Sequence, residues 1–269
     1  MSPHGVLIVD KPSGPTSHDV VARARRVLKT RAVGHAGTLD PMASGVLLVL
    51  VGEATKLSSW LTLASKRYQT RIRLGVASDT LDAQGTLREV PYTQPSEGQL
   101  RAALAAEKQR ASQVPPSVSA IKVDGRRAYE LTRKGEAPEL SPREVSVQEL
   151  ELLSTTEREL ELRLTVSKGY YVRALARDLA QRLDTCGYLC ELRRLASGPF
   201  GIAEAVAWSP EEPGATGGPL AANASMAPVS PPPRPHIQKP RAGLNRRSPG
   251  TTGSDSWRWG APKANFSAW

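Results

Sequence analysis

The sequence predicts an α+β fold, an extended mixed or antiparallel sheet flanked by helices. Three observations lead there. Several segments alternate apolar with polar residues, as strands with one wet face do. Others repeat apolar residues at intervals of three and four, the spacing of helices packed on a sheet. The two kinds interleave without a regular βαβ repeat, which leaves an α+β arrangement.

Residues 5–10 form an apolar strand. Ser17 is placed to cap a helix whose Val20, Val21, Ala24, Val27 and Leu28 recur at helical spacing. The uninterrupted run at residues 46–51 suits a buried strand, and residues 53–63 are expected to be helical. Tyr68, Thr70, Ile72 and Leu74 alternate with Gln69, Arg71 and Arg73, the pattern of a half-buried strand. Residues 99–109 read as a further helix, and residues 145–153 and 159–167 alternate again. Residues 172–183 place Leu175, Leu179 and Leu183 on one helical face.

A boundary falls near Ser209. Residues 209–269 hold 11 of the chain's 22 prolines and 7 of its 22 glycines, a composition that buries little core and predicts a disordered basic tail. Its Trp257, Trp259, Phe266 and Trp269, interleaved with Arg258 and Lys263, could stack on bases, but a solvated tail is the expectation. Residues 1–208 then form the folded domain.

The chain has 269 residues, 39% of them hydrophobic, and a formal charge of +10. With 36 Lys+Arg and no basic amphipathic membrane helix, nucleic acid is the favoured anionic partner, although such a charge also serves solubility. No apolar run approaches the ~18 residues of a membrane span, and the first twelve residues lack a signal-peptide pattern. A cytoplasmic protein is expected. Cys186 and Cys190 have no His or further Cys at ligand spacing nearby, so idle or buried thiols are expected and a zinc site is not.

The most informative stretch runs from Gly34 to Gly45, Gly-His-Ala-Gly-Thr-Leu-Asp-Pro-Met-Ala-Ser-Gly. Its glycines permit close approach of another molecule, and Pro41 biases Asp40 toward an extended conformation, so one carboxylate is held on a shaped turn. Read alone, Leu-Asp-Pro is an ordinary turn starter. The whole string resembles the catalytic motif of the TruB-type tRNA pseudouridine-55 synthases. Asp10-Lys11-Pro12-Ser13-Gly14-Pro15-Thr16-Ser17 resembles that family's opening motif, and Lys66-Arg67-Tyr68 with Asp79-Thr80-Leu81-Asp82-Ala83-Gln84-Gly85 its second. Pro115–Gly125 with Arg127-Ala128-Tyr129, Ser167-Lys168-Gly169-Tyr170-Tyr171-Val172-Arg173, and Leu192-Arg193-Arg194 follow in family order. The blocks span about three quarters of the chain.

The resemblance implies a monomeric, cofactor-free and metal-free isomerase acting on the T stem-loop of tRNA. Breaking a glycosidic bond and rejoining the base through C5 suits a carboxylate, which can attack as a nucleophile or take a proton. Asp40 is the residue matched to that role. The resemblance implies that Arg173 pairs with it, that Tyr68 stacks on the uracil, that Tyr171 and Leu192 wall the pocket, and that Lys11 and His35 help hold the RNA. Phosphate contacts are expected from Arg23, Arg25, Arg26, Lys29 and Arg31, a run that otherwise reads as a solvated helix face. Tyr170 stands where family members commonly have Thr, Asp184 where Gly is usual, and Cys186 and Tyr188 where Gly and His are usual. Two other readings use the same surface: a tRNA-folding protein that works without catalysis, and a guide-RNA-dependent synthase. The absence of a recognisable additional RNA-binding domain in the sequence argues against the second.

Overall fold

A computed structural model describes residues 3–208, apart from residues 120, 124, 134, 135 and 137–139. The tail expected at residues 209–269 lies outside the described residues. In chain order the elements are β1 (Gly5–Lys11), α1 (Ser17–Val27), β2 (Val33–His35), β3 (Ser44–Val51), a 3-10 turn (Gly52–Leu57), α2 (Ser58–Leu63), β4 (Lys66–Leu74), β5 (Val76–Ser78), β6 (Leu87–Glu89) and α3 (Glu97–Lys108). Then come β7 (Ser112–Gln113), β8 (Lys122–Val123), β9 (Arg126–Arg127), α4 (Ala128–Arg133), β10 (Arg143–Glu144), β11 (Val147–Thr155) and β12 (Glu159–Val166). The last are α5 (Val172–Arg182), β13 (Gly187–Ser197), β14 (Phe200–Gly201), a 3-10 turn (Ile202–Glu204) and β15 (Val206–Ala207).

One large sheet runs β11-β12-β4-β13-β3-β1-β15, with β2 added to β3 and β14 to β13. Most neighbours are antiparallel; β3 with β13 and β1 with β15 are parallel, so the sheet is mixed, as the alternation predicts. The apolar run of β3 is explained by burial on both faces. Leu47, Val49 and Val51 join Leu7, Val9, Val20, Ala24, Leu175 and Leu179 in the main core, whereas Val46, Leu48 and Leu50 join Val6, Ile8, Ala36 and Ala54 in a second one. Farther along the sheet only one face is buried, through Ile72, Leu74, Leu160, Leu162 and Leu164. Its other face is a lattice of opposite charges. Arg67 faces Glu149, Arg71 faces Glu159 and Glu191, Arg73 faces Glu159, and Arg163 faces Glu151. Such exposed pairs each contribute only about 0–1 kcal/mol, but they leave that face nearly neutral.

Local chemistry moves some expected boundaries. Thr16, not Ser17, caps α1: its hydroxyl accepts from the Asp19 N–H at 3.1 Å while the Asp19 carboxylate accepts from the Thr16 N–H at 2.7 Å. This releases the buried Ser17 hydroxyl, which bonds both the N–H and the carbonyl of Leu39. Val27 falls off the apolar stripe and is 39% exposed. The helix expected over residues 53–63 opens as a 3-10 turn, because the Thr55 hydroxyl bonds back to the Gly52 carbonyl at 2.7 Å and tightens the first turn. Cys186 precedes β13 and Cys190 lies within it, both as free thiols. Asp184 adopts φ +52°, a left-handed conformation that glycine takes without strain and aspartate tolerates.

Among the described strand glycines, Gly45 leaves the least room for a side chain. It sits at φ +101° where β13 runs alongside β3, and a methyl group on it would lie 2.2 Å from the Arg194 carbonyl oxygen. Gly45→Ala is therefore expected to cost about 3 kcal/mol or more, through both forbidden φ and backbone overlap. Urea unfolding of the purified variant checks this; a midpoint equal to wild type would contradict it.

Candidate active site

The segment from Gly37 to Ala43 leaves the sheet between β2 and β3, so its carbonyls have no strand partner. Two buried cations take three of them, those of Gly37, Thr38 and Pro41. Lys11, fully buried at the end of β1, donates to the carbonyls of Pro12 (2.8 Å), Pro15 (2.9 Å) and Pro41 (3.3 Å). Arg194, 1% exposed on β13, donates to Val46 (2.6 Å), Gly37 (3.1 Å) and Thr38 (3.4 Å). Ser17 fixes Leu39, and the Gly14 N–H donates to Pro41 at 2.8 Å. Arg193 adds a two-pronged pair to Asp10 at 2.7 and 3.1 Å, tying β13 to β1 beside the same loop.

The loop holds Asp40 opposite the first turn of α5. Arg173, 6% exposed, reaches it with a bidentate fork, Nε to Oδ2 at 2.9 Å and Nη2 to Oδ1 at 3.2 Å. The remaining nitrogen donates to the Thr80 carbonyl at 3.1 Å and lies 3.5 Å from the buried Asp82 carboxylate. Asp82 is itself fixed by the Thr80 hydroxyl at 2.6 Å and the Gln84 N–H at 3.0 Å. One arginine is thus clamped between two carboxylates. The planar fork sets the orientation of Asp40, which an ammonium could not do.

Around this pair opens a cleft of about 520 Å³, lined by Asp40, Lys66, Tyr68, Tyr171, Arg173, Leu192 and Arg194 among others. It is large enough for an extruded nucleoside. Of the residues expected from the sequence, Asp40, Tyr68, Tyr171, Arg173 and Leu192 meet there. Two do not. Lys11 is enclosed and absent from the lining, its ammonium engaged by three carbonyls, one of them Pro41 of the loop. His35 is half-buried on β2, edge-on to His18 at 5.5 Å between ring centroids, and is not among the residues lining the cleft. Lys66, Asp82 and Arg194 were not anticipated as site residues. Their signal was present, since all three lie within the motif blocks, but the contacts that recruit them span up to 157 positions. A second hollow, about 560 Å³, is lined by Arg110, Arg177, Asp178 and Arg182, with Asp178 paired to both Arg110 and Arg177. Among the described residues no group of three or more His, Cys, Asp or Glu could hold a metal ion.

Residues 25–172 match the profile of a family described as TruB family pseudouridylate synthase (N terminal domain). The chain is 45% identical over 215 residues to the tRNA pseudouridine synthase B of Corynebacterium jeikeium, covering 76% of this chain and 70% of that protein. It is 47% identical over 205 residues to the protein of the same name from Paracoccus denitrificans, covering 76% and 69%. Among solved structures it resembles a chain of a Cbf5-Nop10-Gar1 complex, with 30% identity and a TM-score of 0.58 over 76% of this chain and 52% of that one. It also resembles a chain of an H/ACA RNP bound to a substrate RNA containing 2'-deoxyuridine, with 27% identity and a TM-score of 0.54 over 76% and 51%. The chain spans about half the length of those structural relatives.

Two enclosed lysines, Lys66 in the cleft wall and Lys11 behind the loop, are held below the ordinary lysine range, chiefly by burial. Burial, with Arg194 adding repulsion, lowers Lys66 to about 8. Burial likewise lowers Lys11 to about 8, against the attraction of Asp40. Both values lie below that of an unfolded lysine, so between about pH 8 and 10.5 the unfolded chain binds more protons and folding stability rises with pH. Wild type should gain urea resistance between pH 7.5 and 9.5, and Lys66→Met should gain less by about 1–2 kcal/mol. Parallel pH profiles for the two proteins would contradict the lowered lysine.

Proposed function

Since the chain belongs to the TruB family of pseudouridylate synthases, we propose that it isomerises uridine 55 in the T loop of tRNA to pseudouridine, with Asp40 acting on the glycosidic bond. The observation that carries this reading is the bidentate Arg173–Asp40 pair on the wall of a cleft that also holds Tyr68. An aspartate held only for structure has no need of an open, nucleoside-sized space before it. The identities of 45 and 47% to proteins named for a tRNA activity favour tRNA over a guide-directed substrate.

The chemistry asks for three things. A stacked base has to leave its stack, at a cost of a few kcal/mol that is smallest in a loop, and enter a pocket. The glycosidic bond then breaks and the detached uracil turns without escaping, held between the walls of the cleft. C5 finally bonds C1′ and loses its proton. In this reading Asp40 attacks or accepts a proton at the sugar or base, and Arg173 holds it in line. In the same reading Tyr68, which lines the cleft, stacks on the uracil and takes the C5 proton, and Tyr171 and Leu192 close the walls. No redox or phosphoryl step is required.

Charge distribution supports an RNA path over α1. Arg25, Arg26, Lys29 and Arg31 are exposed there, with no carboxylate at ion-pair distance among the described residues, whereas the outer face of β4, β11 and β12 is neutralised by its own acids. An α1 contact to phosphates would steepen the salt dependence of binding.

The deciding experiment incubates the protein with an unmodified tRNA transcript and maps pseudouridine by position; conversion elsewhere than position 55 would refute the site assignment. Asp40→Asn should abolish conversion while leaving RNA affinity within a few-fold, because the amide keeps shape and loses the nucleophile. Arg173→Lys should lower the maximal rate by about a hundredfold or more, since a point charge cannot reproduce a fork and small misplacements are costly at a reacting centre.

A further inference from the structure

The start of α5 carries the residues that matter most to the cleft, yet it has no side-chain cap of its own: its N-cap residue is Tyr171, whose side chain bonds no helix N–H. Two outside groups hold it instead. The buried Gln113 side chain bonds the Tyr171 backbone on both sides, accepting from its N–H at 2.8 Å and donating to its carbonyl at 3.2 Å. The Tyr170 hydroxyl donates at 2.7 Å to Glu107, on the last turn of α3.

Glu107 is fully buried, and a buried carboxylate survives only when its oxygens are bonded and its charge is paired. Arg110 does both, with Nε on one oxygen and Nη2 on the other, each at 2.6 Å. The same guanidinium reaches Asp178 on α5 at 3.0 Å and the Ser112 carbonyl at 3.1 Å. Burial and the neighbouring Glu107 charge hold the Tyr170 hydroxyl well above the ordinary phenol range, so it remains a proton donor. Apolar residues of equal volume would stabilise the α3–α5 contact as well or better, since desolvating charges is expensive. What such a network adds is direction. Its bonds fix where the backbone of residues 170–173 sits, to a tolerance that greasy packing does not impose.

We propose that Tyr170, Glu107 and Arg110, with Asp178, form a positioning brace that sets the first turn of α5 and thereby aims Arg173 at Asp40 and Tyr171 at the cleft. The brace touches no reacting atom. Its catalytic consequence rests on the pseudouridine synthase reading above; its mechanical consequence does not.

Tyr170→Phe tests it, keeping the ring and the Glu107–Arg110 pair while removing one bond. At saturating RNA and a temperature well below unfolding, the single-turnover rate should fall about tenfold, with RNA affinity within twofold and Tm within a few degrees of wild type. Hydrogen exchange at residues 171–175 should quicken. Glu107→Gln, which keeps an acceptor for Tyr170 but loses the charge pair, should fall in the same direction. An unchanged rate in both variants, or a rate loss that merely tracks a loss of RNA affinity, overturns the brace. If wild type itself forms no pseudouridine, the functional reading fails separately, and exchange alone decides: unaltered protection at residues 171–175 in Tyr170→Phe overturns the proposal.

Discussion

A loop that presents a carboxylate inside a cleft bonds little of its own backbone, here Ala43 N–H to the Asp40 carbonyl at 3.1 Å, and its orphaned carbonyls must find donors or cost several kcal/mol in total. Lys11 and Arg194 supply those donors from opposite sides, one from the start of the chain and one from the end of the folded region. The sheet order follows from this need. Strand β13 lies between β4 and β3, which brings Arg194 under Gly37 and Thr38 and lays its backbone over Gly45, while β1 on the other side of β3 brings Lys11 under Pro41. Interior cations are expensive unless each proton has an acceptor, and here the loop carbonyls of Gly37, Thr38 and Pro41, with those of Pro12, Pro15 and Val46 beside them, are those acceptors. Loop and cations are mutually necessary.

The same logic recurs one layer out. Arg173 has Asp40 on one side and Asp82 on the other, so its fork cannot turn away from the cleft without abandoning a buried acid. Each charged group near Asp40 is thus held by a partner on a different element. Electrostatics here does little for overall stability compared with the two apolar clusters, but it decides geometry. The exposed pairs on the outer sheet face serve a different end, cancelling charge where the α1 side leaves it uncancelled.

Much of this was legible in the sequence. The alternation in Tyr68–Leu74, the stripe in α5 and the solid apolar run of β3 gave the elements, because period two and period 3.6 are direct readouts of which faces meet a core. Asp40, Tyr68 and Arg173 were legible through motif resemblance, and the structure places their side chains around one cleft. The carbonyl partners of Lys11 were not legible, because a lysine in a motif gives no sign of whether its ammonium points at a ligand or at the chain's own carbonyls. Glu107 was invisible: in α3 it reads as one more acid on a wet face, and only Arg110 and Tyr170, the latter 63 positions away, turn it inward. Local pattern reports faces, whereas partners at long range are a property of topology.

The central place of β13 bears on how the molecule is made. Residues 187–197 are among the last of the folded region to be synthesised, yet they form the seam between the β11–β12–β4 half of the sheet and the β3–β1 half. Until that strand has left the ribosome the two halves have no common edge, the Gly45 notch is unfilled, and the carbonyls of Gly37 and Thr38 lack their arginine. Closing a sheet at its middle with a late strand is a high-contact-order step and a slow one. A chain that stops short of this strand therefore lacks both Leu192 and Arg194 of the cleft wall and the strand that joins the two halves, so its earlier helices and hairpins do not by themselves make the pocket.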